Sequence, residues 1–184
     1  MHNRVCPWWL GYMLASPLRR LLYDPEEILR PHIREGMNVL DLGCGMGFFS
    51  LPAARMVGKT GKVICVDLQE KMIRGLLRRS NKAGLSNRID ARVCRQDSLA
   101  LGDINGKIDF ALAFALIHEV PDKGRLLSEI SEATKQTGRL LIAEPKGHVS
   151  KDGFDETVSA AEHASFKVVS NVSIRRSYAI LLGK

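Results

Sequence analysis

Short apolar runs alternate with amphipathic stretches through most of this chain. Residues 38–42 (NVLDL), 62–67 (KVICVD), 89–95 (IDARVCR), 108–115 (IDFALAFA) and 138–145 (GRLLIAEP) read as five strands. Between them lie helical patterns. The first, DPEEILR, has Asp24 as N-cap, Pro25 at the first helical position and Glu26 and Glu27 at the positive end of the dipole, with Pro31 ending it early. Residues 48–57 (FFSLPAARMV) form a second helix that tolerates Pro52 in its first turn. In 69–84 the apolar stripe is Met72, Ile73, Leu76 and Leu77, with Gly84 as the stop. Residues 122–138 place Leu126, Leu127, Ile130 and Ala133 on one face, with Gly138 beyond the helix end.

Near-continuous apolar strands separated by helices imply a parallel sheet covered on both faces. The finish differs. FKVVS and YAILLG stand only about seven residues apart, too few for the crossover that parallel neighbours need, and so predict an antiparallel pair at the end of the sheet.

With 184 residues the chain is long enough for one domain with a sizeable core. Its 45% hydrophobic and 26% charged residues are those of an ordinary soluble globular protein. There is no internal repeat, and no run of about 18 apolar residues that would span a membrane. The first twenty residues faintly imitate a secretion signal, but Pro7 and Gly11 interrupt the apolar run. Cys6, Cys44, Cys65 and Cys94 include no C-x-x-C pair, which suggests neither a zinc site nor a redox motif and favours reduced thiols in a cytoplasmic protein. The net charge of +7 is spread along the chain and decides nothing alone.

The chemistry concentrates at LDLGCGMG. Gly43, Gly45 and Gly47 follow a strand and open a helix, where glycine allows a tight turn and lets a ligand lie on bare backbone. Their G-x-G-x-G spacing departs from the G-x-G-x-x-G of a dinucleotide loop, and Phe48 and Phe49 come where two rings would crowd a pyrophosphate. With Asp41 before the first glycine, this stretch resembles the first motif of the class I S-adenosylmethionine-dependent methyltransferases, and the likeness runs over residues 38–183.

The resemblance implies an α/β fold: a doubly wound, seven-stranded, mostly parallel sheet with an antiparallel last strand. It implies S-adenosyl-L-methionine as cofactor, held by Asp41, Gly43, Cys44, Gly45, Gly47, Asp67, Leu68, Asp97, Ser98 and Phe114 or Ala115. Asp67, closing the second strand, would accept from both ribose hydroxyls. Asp97 would accept from the adenine amino group, with Leu68 and Ser98 flanking the ring and Phe114 or Ala115 near the methionine part. Residues 1–32 would form an N-terminal helical lid and 33–184 the cofactor-binding domain.

Candidate catalytic residues follow the fourth and fifth strands. His118 has the intrinsic pKa of a base, and reads either as that or as a loop histidine lining the pocket. HEVPD is not a zinc H-E-x-x-H motif, since Asp122 replaces the second histidine. Glu144 reads as a contact to the cofactor's amino group, an orienting group for the acceptor, or a packing residue. Trp8, Trp9 and Tyr12 suit an apolar or cationic acceptor, or else plaster the first helices onto the sheet, and with Arg19 and Arg20 also allow contact with a membrane surface.

The leading function is a methyltransferase with a small-molecule acceptor. The rivals are an RNA methyltransferase, using a basic stripe of Lys71, Arg74, Arg78 and Lys82, and a non-catalytic cofactor-binding protein. Some relatives methylate arsenite through cysteine thiolates, which would ask Cys6 and Cys44 to meet. The acceptor atom and the oligomeric state are not written in any motif.

Overall fold

The computed structural model describes residues 22–184. Trp8, Trp9, Tyr12, Cys6 and most of the expected 1–32 lid therefore lie outside the described residues. Seven strands form one sheet: β1 (Asn38–Leu42), β2 (Lys62–Asp67), β3 (Ile89–Val93), β4 (Ile108–Phe114), β5 (Thr134–Pro145), β6 (Lys167–Asn171) and β7 (Ser177–Gly183). Their order is β3-β2-β1-β4-β5-β7-β6. Among the described residues five α-helices alternate with them: α1 (Pro25–Leu29), α2 (Ser50–Met56), α3 (Glu70–Lys82), α4 (Lys123–Ala133) and α5 (Lys151–His163). This is the expected doubly wound, seven-stranded architecture. The described chain groups into two compact units, parting between Arg95 and Gln96.

In the N-terminal unit β2 pairs in parallel with both β1 and β3. Local chemistry marks several helix ends. Asp24 caps α1, accepting from the amides of Glu26 at 2.8 Å and Glu27 at 3.4 Å. Helix α2 lacks a side-chain cap at Phe49, and Ser50 at its first turn instead donates to the buried carboxylate of Asp41 at 2.5 Å, joining helix to strand. Helix α3 stops at Gly84, whose φ of +67° is the left-handed conformation of a helix end.

One face of α3 differs from its prediction. Met72, Ile73 and Leu76 are buried, but Leu77 is 45% exposed, and Gly75 and Ser80 complete the inner face instead. At 100° per residue a buried stripe along Met72, Leu76 and Ser80 leaves Leu77 on its shoulder.

The C-terminal unit pairs β4 with β5 in parallel, then β5 with β7 and β7 with β6 antiparallel, as the short spacing between the last two strands predicted. Asp122 caps α4 through the Arg125 amide at 2.9 Å. The helix ends at Ala133, earlier than its pattern suggested. Thr134, opposite Ile108, already belongs to β5, and its hydroxyl closes the last helical turn on the Ile130 carbonyl at 2.6 Å. Between Thr134 and Arg139 the strand bulges, and Gly138 fits there because a Cβ would sit 2.5 Å from the Thr134 methyl and 2.8 Å from the Ile108 carbonyl oxygen. Helix α5, capped by Ser150 on the Gly153 amide at 3.1 Å, has no counterpart among the predicted elements.

Among the described residues no helix is long and apolar enough to cross a membrane.

The two neighbouring leucines of α3 test its orientation. Leu76→Ala should cost about 2–5 kcal/mol in urea-induced unfolding, whereas Leu77→Ala should stay within about 0.5 kcal/mol of the parent. Equal losses at both positions would contradict the inner face assigned here.

Candidate functional site

The glycine turn begins where β1 ends. The amides of Gly43 and Cys44 both donate to the Val66 carbonyl, at 2.9 and 3.1 Å, so the chain leaves the strand bent toward β2. The amide of Gly45 donates to Asp67 Oδ2 at 2.9 Å, and that of Gln69 to Asp67 Oδ1 at 2.8 Å. One carboxylate thus holds the turn after β1 and the entry to α3.

Two glycines are required for different reasons. Gly45 has φ +53°, and a Cβ there would meet nothing within 4 Å, so its backbone faces open space. Gly47 has φ +84°, and its Cβ would stand 2.4 Å from Leu76 Cδ1. The first leaves room for a ligand, and the second lets α3 pack beneath the turn. Phe48 and Phe49 are buried and pack edge to face at 5.1 Å. They belong to the core of the unit, where they serve packing rather than the crowding of a pyrophosphate.

The Asp67 carboxyl is held above its usual range, chiefly by burial, although the Gln69 and Gly45 amides pull it down. Each of its oxygens accepts one amide in these bonds and has a second lone pair for a further donor. Cys44 is buried, and the hydrogen bond with Cys65, followed by burial, pushes its thiol well above the ordinary value. It is a neutral packing group, ill suited to act as a thiolate. Leu68 is half-buried just after Asp67.

The remaining candidates lie in the C-terminal unit. Asp97 is exposed, and its carbonyl accepts from Arg125 Nη1 at 2.6 Å. Glu129 Oε2 accepts from the Ser98 hydroxyl at 3.1 Å and the Leu99 amide at 2.7 Å. Two side chains of α4 therefore shape the loop that carries Asp97 and Ser98, a role no sequence motif announced. Phe114 is buried at the end of β4, and Ala115 follows with φ +54°, its amide bonded to the Ala143 carbonyl at 2.7 Å.

Three residues on, His118 and Glu144 come together. Glu144, only 1% exposed near the end of β5, accepts from the Ile117 amide at 2.7 Å through Oε1 and stands 2.5 Å from His118 Nδ1 through Oε2. The amide fixes the carboxylate, and the carboxylate fixes the imidazole. With Nδ1–H donating to Glu144, the neutral ring keeps its lone pair on Nε2. The Glu144 hydrogen bond raises the His118 pKa above 6.5, against the opposing pull of burial. The ring of His148 lies 5.4 Å from that of His118, edge on. Among the described residues no group of three or more His, Cys, Asp or Glu side chains is arranged to hold a metal.

A sequence profile of the methyltransferase-domain family matches residues 33–177, most of the chain. The chain belongs to this family. Its resemblance to the class I S-adenosylmethionine-dependent methyltransferases is thereby borne out. A S-adenosylmethionine-dependent methyltransferase from Aquifex aeolicus shares its structure with a TM-score of 0.83 and 28% identity, over 97% of each chain. A geranyl diphosphate C-methyltransferase from Streptomyces coelicolor A3(2) has the same fold, with a TM-score of 0.75 at 18% identity over 90% of this chain and 80% of that one. The ubiquinone/menaquinone biosynthesis C-methyltransferase of Haemophilus ducreyi is 31% identical over 143 residues, 76% of this chain and 52% of that enzyme. The chain spans about half the length of the curated relatives it matches.

The residues of the glycine turn fit the cofactor of the family. Bare backbone at Gly45, with nothing within 4 Å of where a Cβ would stand, lies beside a carboxylate with acceptor capacity to spare.

The pairing of His118 with Glu144 has a measurable signature. Because the folded pKa of His118 is raised, the stability from this pair is full below the unfolded value near 6.5 and is lost as pH rises through the higher folded midpoint. Glu144→Gln should lower the His118 midpoint, read from its ring protons by NMR, and its stability deficit should shrink above the parent midpoint. A midpoint that does not move would show that something other than Glu144 holds the ring proton.

Proposed function

We propose that this methyltransferase acts on a small-molecule acceptor that surrenders a proton, with His118 as the general base. The observation that carries the reading is the Ile117–Glu144–His118 arrangement, in which a buried, anchored carboxylate orients an imidazole and leaves Nε2 to the acceptor. Support for a small acceptor comes from the relatives named for C-methylation in ubiquinone/menaquinone biosynthesis and of geranyl diphosphate. We assign the activity to the cytoplasm.

When bound, S-adenosyl-L-methionine supplies a methyl group on a sulfonium, open to in-line displacement. Asp67 would take the ribose hydroxyls on its remaining lone pairs, and Gly43, Gly45 and Gly47 would present backbone to the ligand. Asp97 would accept from the adenine amino group, with Leu68 and Ser98 beside the ring and Phe114 near the methionine part. Asp41 and Cys44 act from beneath, Asp41 by holding the start of α2 through Ser50.

His118 then performs the one proton transfer that falls to the chain. As the acceptor forms its new bond to carbon, Nε2 takes the proton the acceptor loses, and Glu144 stabilises the imidazolium through Nδ1–H. The raised pKa makes the ring a stronger base while increasing the fraction already protonated near neutral pH. Most of the acceleration comes from holding the acceptor in line, which the protein supplies by position. Trp8, Trp9 and Tyr12 are our proposed acceptor contacts.

An arsenite acceptor is disfavoured by the neutral, buried Cys44. For RNA the case is the exposed stripe of Lys71, Arg74, Arg78 and Lys82 on α3, of which Arg74 is already paired with Glu70 at 2.8 Å.

Methyl-labelled S-adenosylmethionine incubated with the protein and a size-fractionated lysate tests the reading. Label should enter the small-molecule fraction, whereas label in an RNase-sensitive polymer would overturn the acceptor class. Asp67→Ala should weaken cofactor binding by about 1–3 kcal/mol. His118→Ala should slow turnover while leaving cofactor affinity unchanged, and an equal loss of both would remove it from the proton-transfer role.

A further inference from the structure

The outer limb of the glycine turn is held from a helix that the proposed chemistry does not use. Arg79, in the last turn of α3, donates from Nη1 to the Met46 carbonyl at 2.5 Å, across 33 residues of sequence. Gly75, one turn earlier, makes room for the Met46 side chain: a Cβ there would stand 2.8 Å from Met46 Cγ and 3.0 Å from its sulfur. Leu76 lies under Gly47. Residues at i, i+1 and i+4 of one helix face thus seat the turn from below.

The Met46 carbonyl and the Gly47 amide belong to the same peptide unit. The carbonyl accepts from Arg79, while the amide donates to the Cys44 carbonyl at 2.9 Å. That peptide is the cheapest part of the turn to rotate, since glycine on its C-terminal side tolerates φ of either sign. Rotation would break both bonds at once, one of them a charge-assisted bond from a guanidinium. Gly45, immediately before, is the residue whose amide meets Asp67 and whose backbone faces open space.

We propose that Arg79 is a positioning residue for the cofactor: by gripping the Met46 carbonyl it locks the 46–47 peptide and keeps the turn in its binding form. This rests on the cofactor reading above. Arg79 acts through the backbone of the turn and needs no contact with the ligand itself. Its guanidinium has the reach and the charge for the task, and a lysine would retain a donor without the rigid fork.

Calorimetric titration with S-adenosylhomocysteine tests the proposal without any acceptor. Arg79→Met keeps the aliphatic stem and removes the donor, and should raise the dissociation constant on the order of tenfold. Arg79→Lys should recover much of that loss, and amide exchange at Gly47 should quicken in Arg79→Met relative to Arg79→Lys. A role confined to packing α3 would lower the unfolding midpoint and leave the dissociation constant unchanged, which overturns the proposal. So would equal weakening in both variants, because the donor would then be irrelevant. Failure of the unsubstituted protein to bind would instead sink the cofactor reading, and this role with it.

Discussion

The bonds from the Gly45 and Gln69 amides to the Asp67 carboxylate organise the N-terminal unit. A strand end, a glycine turn and a helix start meet at two oxygens. Burial makes the charge costly, as the raised pKa shows, and the two amides only partly offset that cost. Retaining a carboxylate at such a position fits a group awaiting further donors, because each new hydrogen bond to the ionised form relieves the penalty. The geometry of the turn follows from this anchor. Gly45 donates its amide to Asp67 and then turns at φ +53°, and Gly47, at +84°, leaves the space that Leu76 of α3 occupies.

The C-terminal unit uses the same device for another purpose. Glu144, near the end of β5, also holds a backbone amide with one oxygen, but gives the other to an imidazole. Asp67 therefore shapes backbone, whereas Glu144 shapes backbone and tunes a titratable ring. Helix α4 adds a third case, with Glu129 accepting from Ser98 and Leu99 to hold the loop after β3. In each case an acidic side chain fixes a loop through backbone amides, leaving strands to supply rigidity and loops to supply chemistry.

Strands β1, β2, β4, β5 and β7 are readable because each carries a dense apolar run, and Asp67 because it closes one beside a glycine turn. Where pattern and structure part, the causes are physical. Hydrophobicity puts Leu77 inside, yet the buried positions on α3 fall also to Gly75 and Ser80, small residues that an apolar pattern ignores. Helix α5 buries only Phe154, Thr157 and Ala161, too sparse a stripe to register. TKQTG has helical polarity but pairs with β4 through a bulge, which hides the turn from α4 into β5. His118 and Glu144 stand out singly, but their union spans 26 residues and leaves no local trace. Arg79 belongs to no motif, since its partner is a carbonyl, which every residue possesses.

The proposed hold of the Asp67-anchored turn on the cofactor can be probed by adding S-adenosylhomocysteine to isotopically labelled protein and following the backbone amides by NMR. The largest shifts should fall at Gly43, Gly45, Gly47, Leu68 and Gln69, with a second group at Asp97 and Ser98. Saturable binding that leaves these amides unmoved and perturbs residues elsewhere would contradict it.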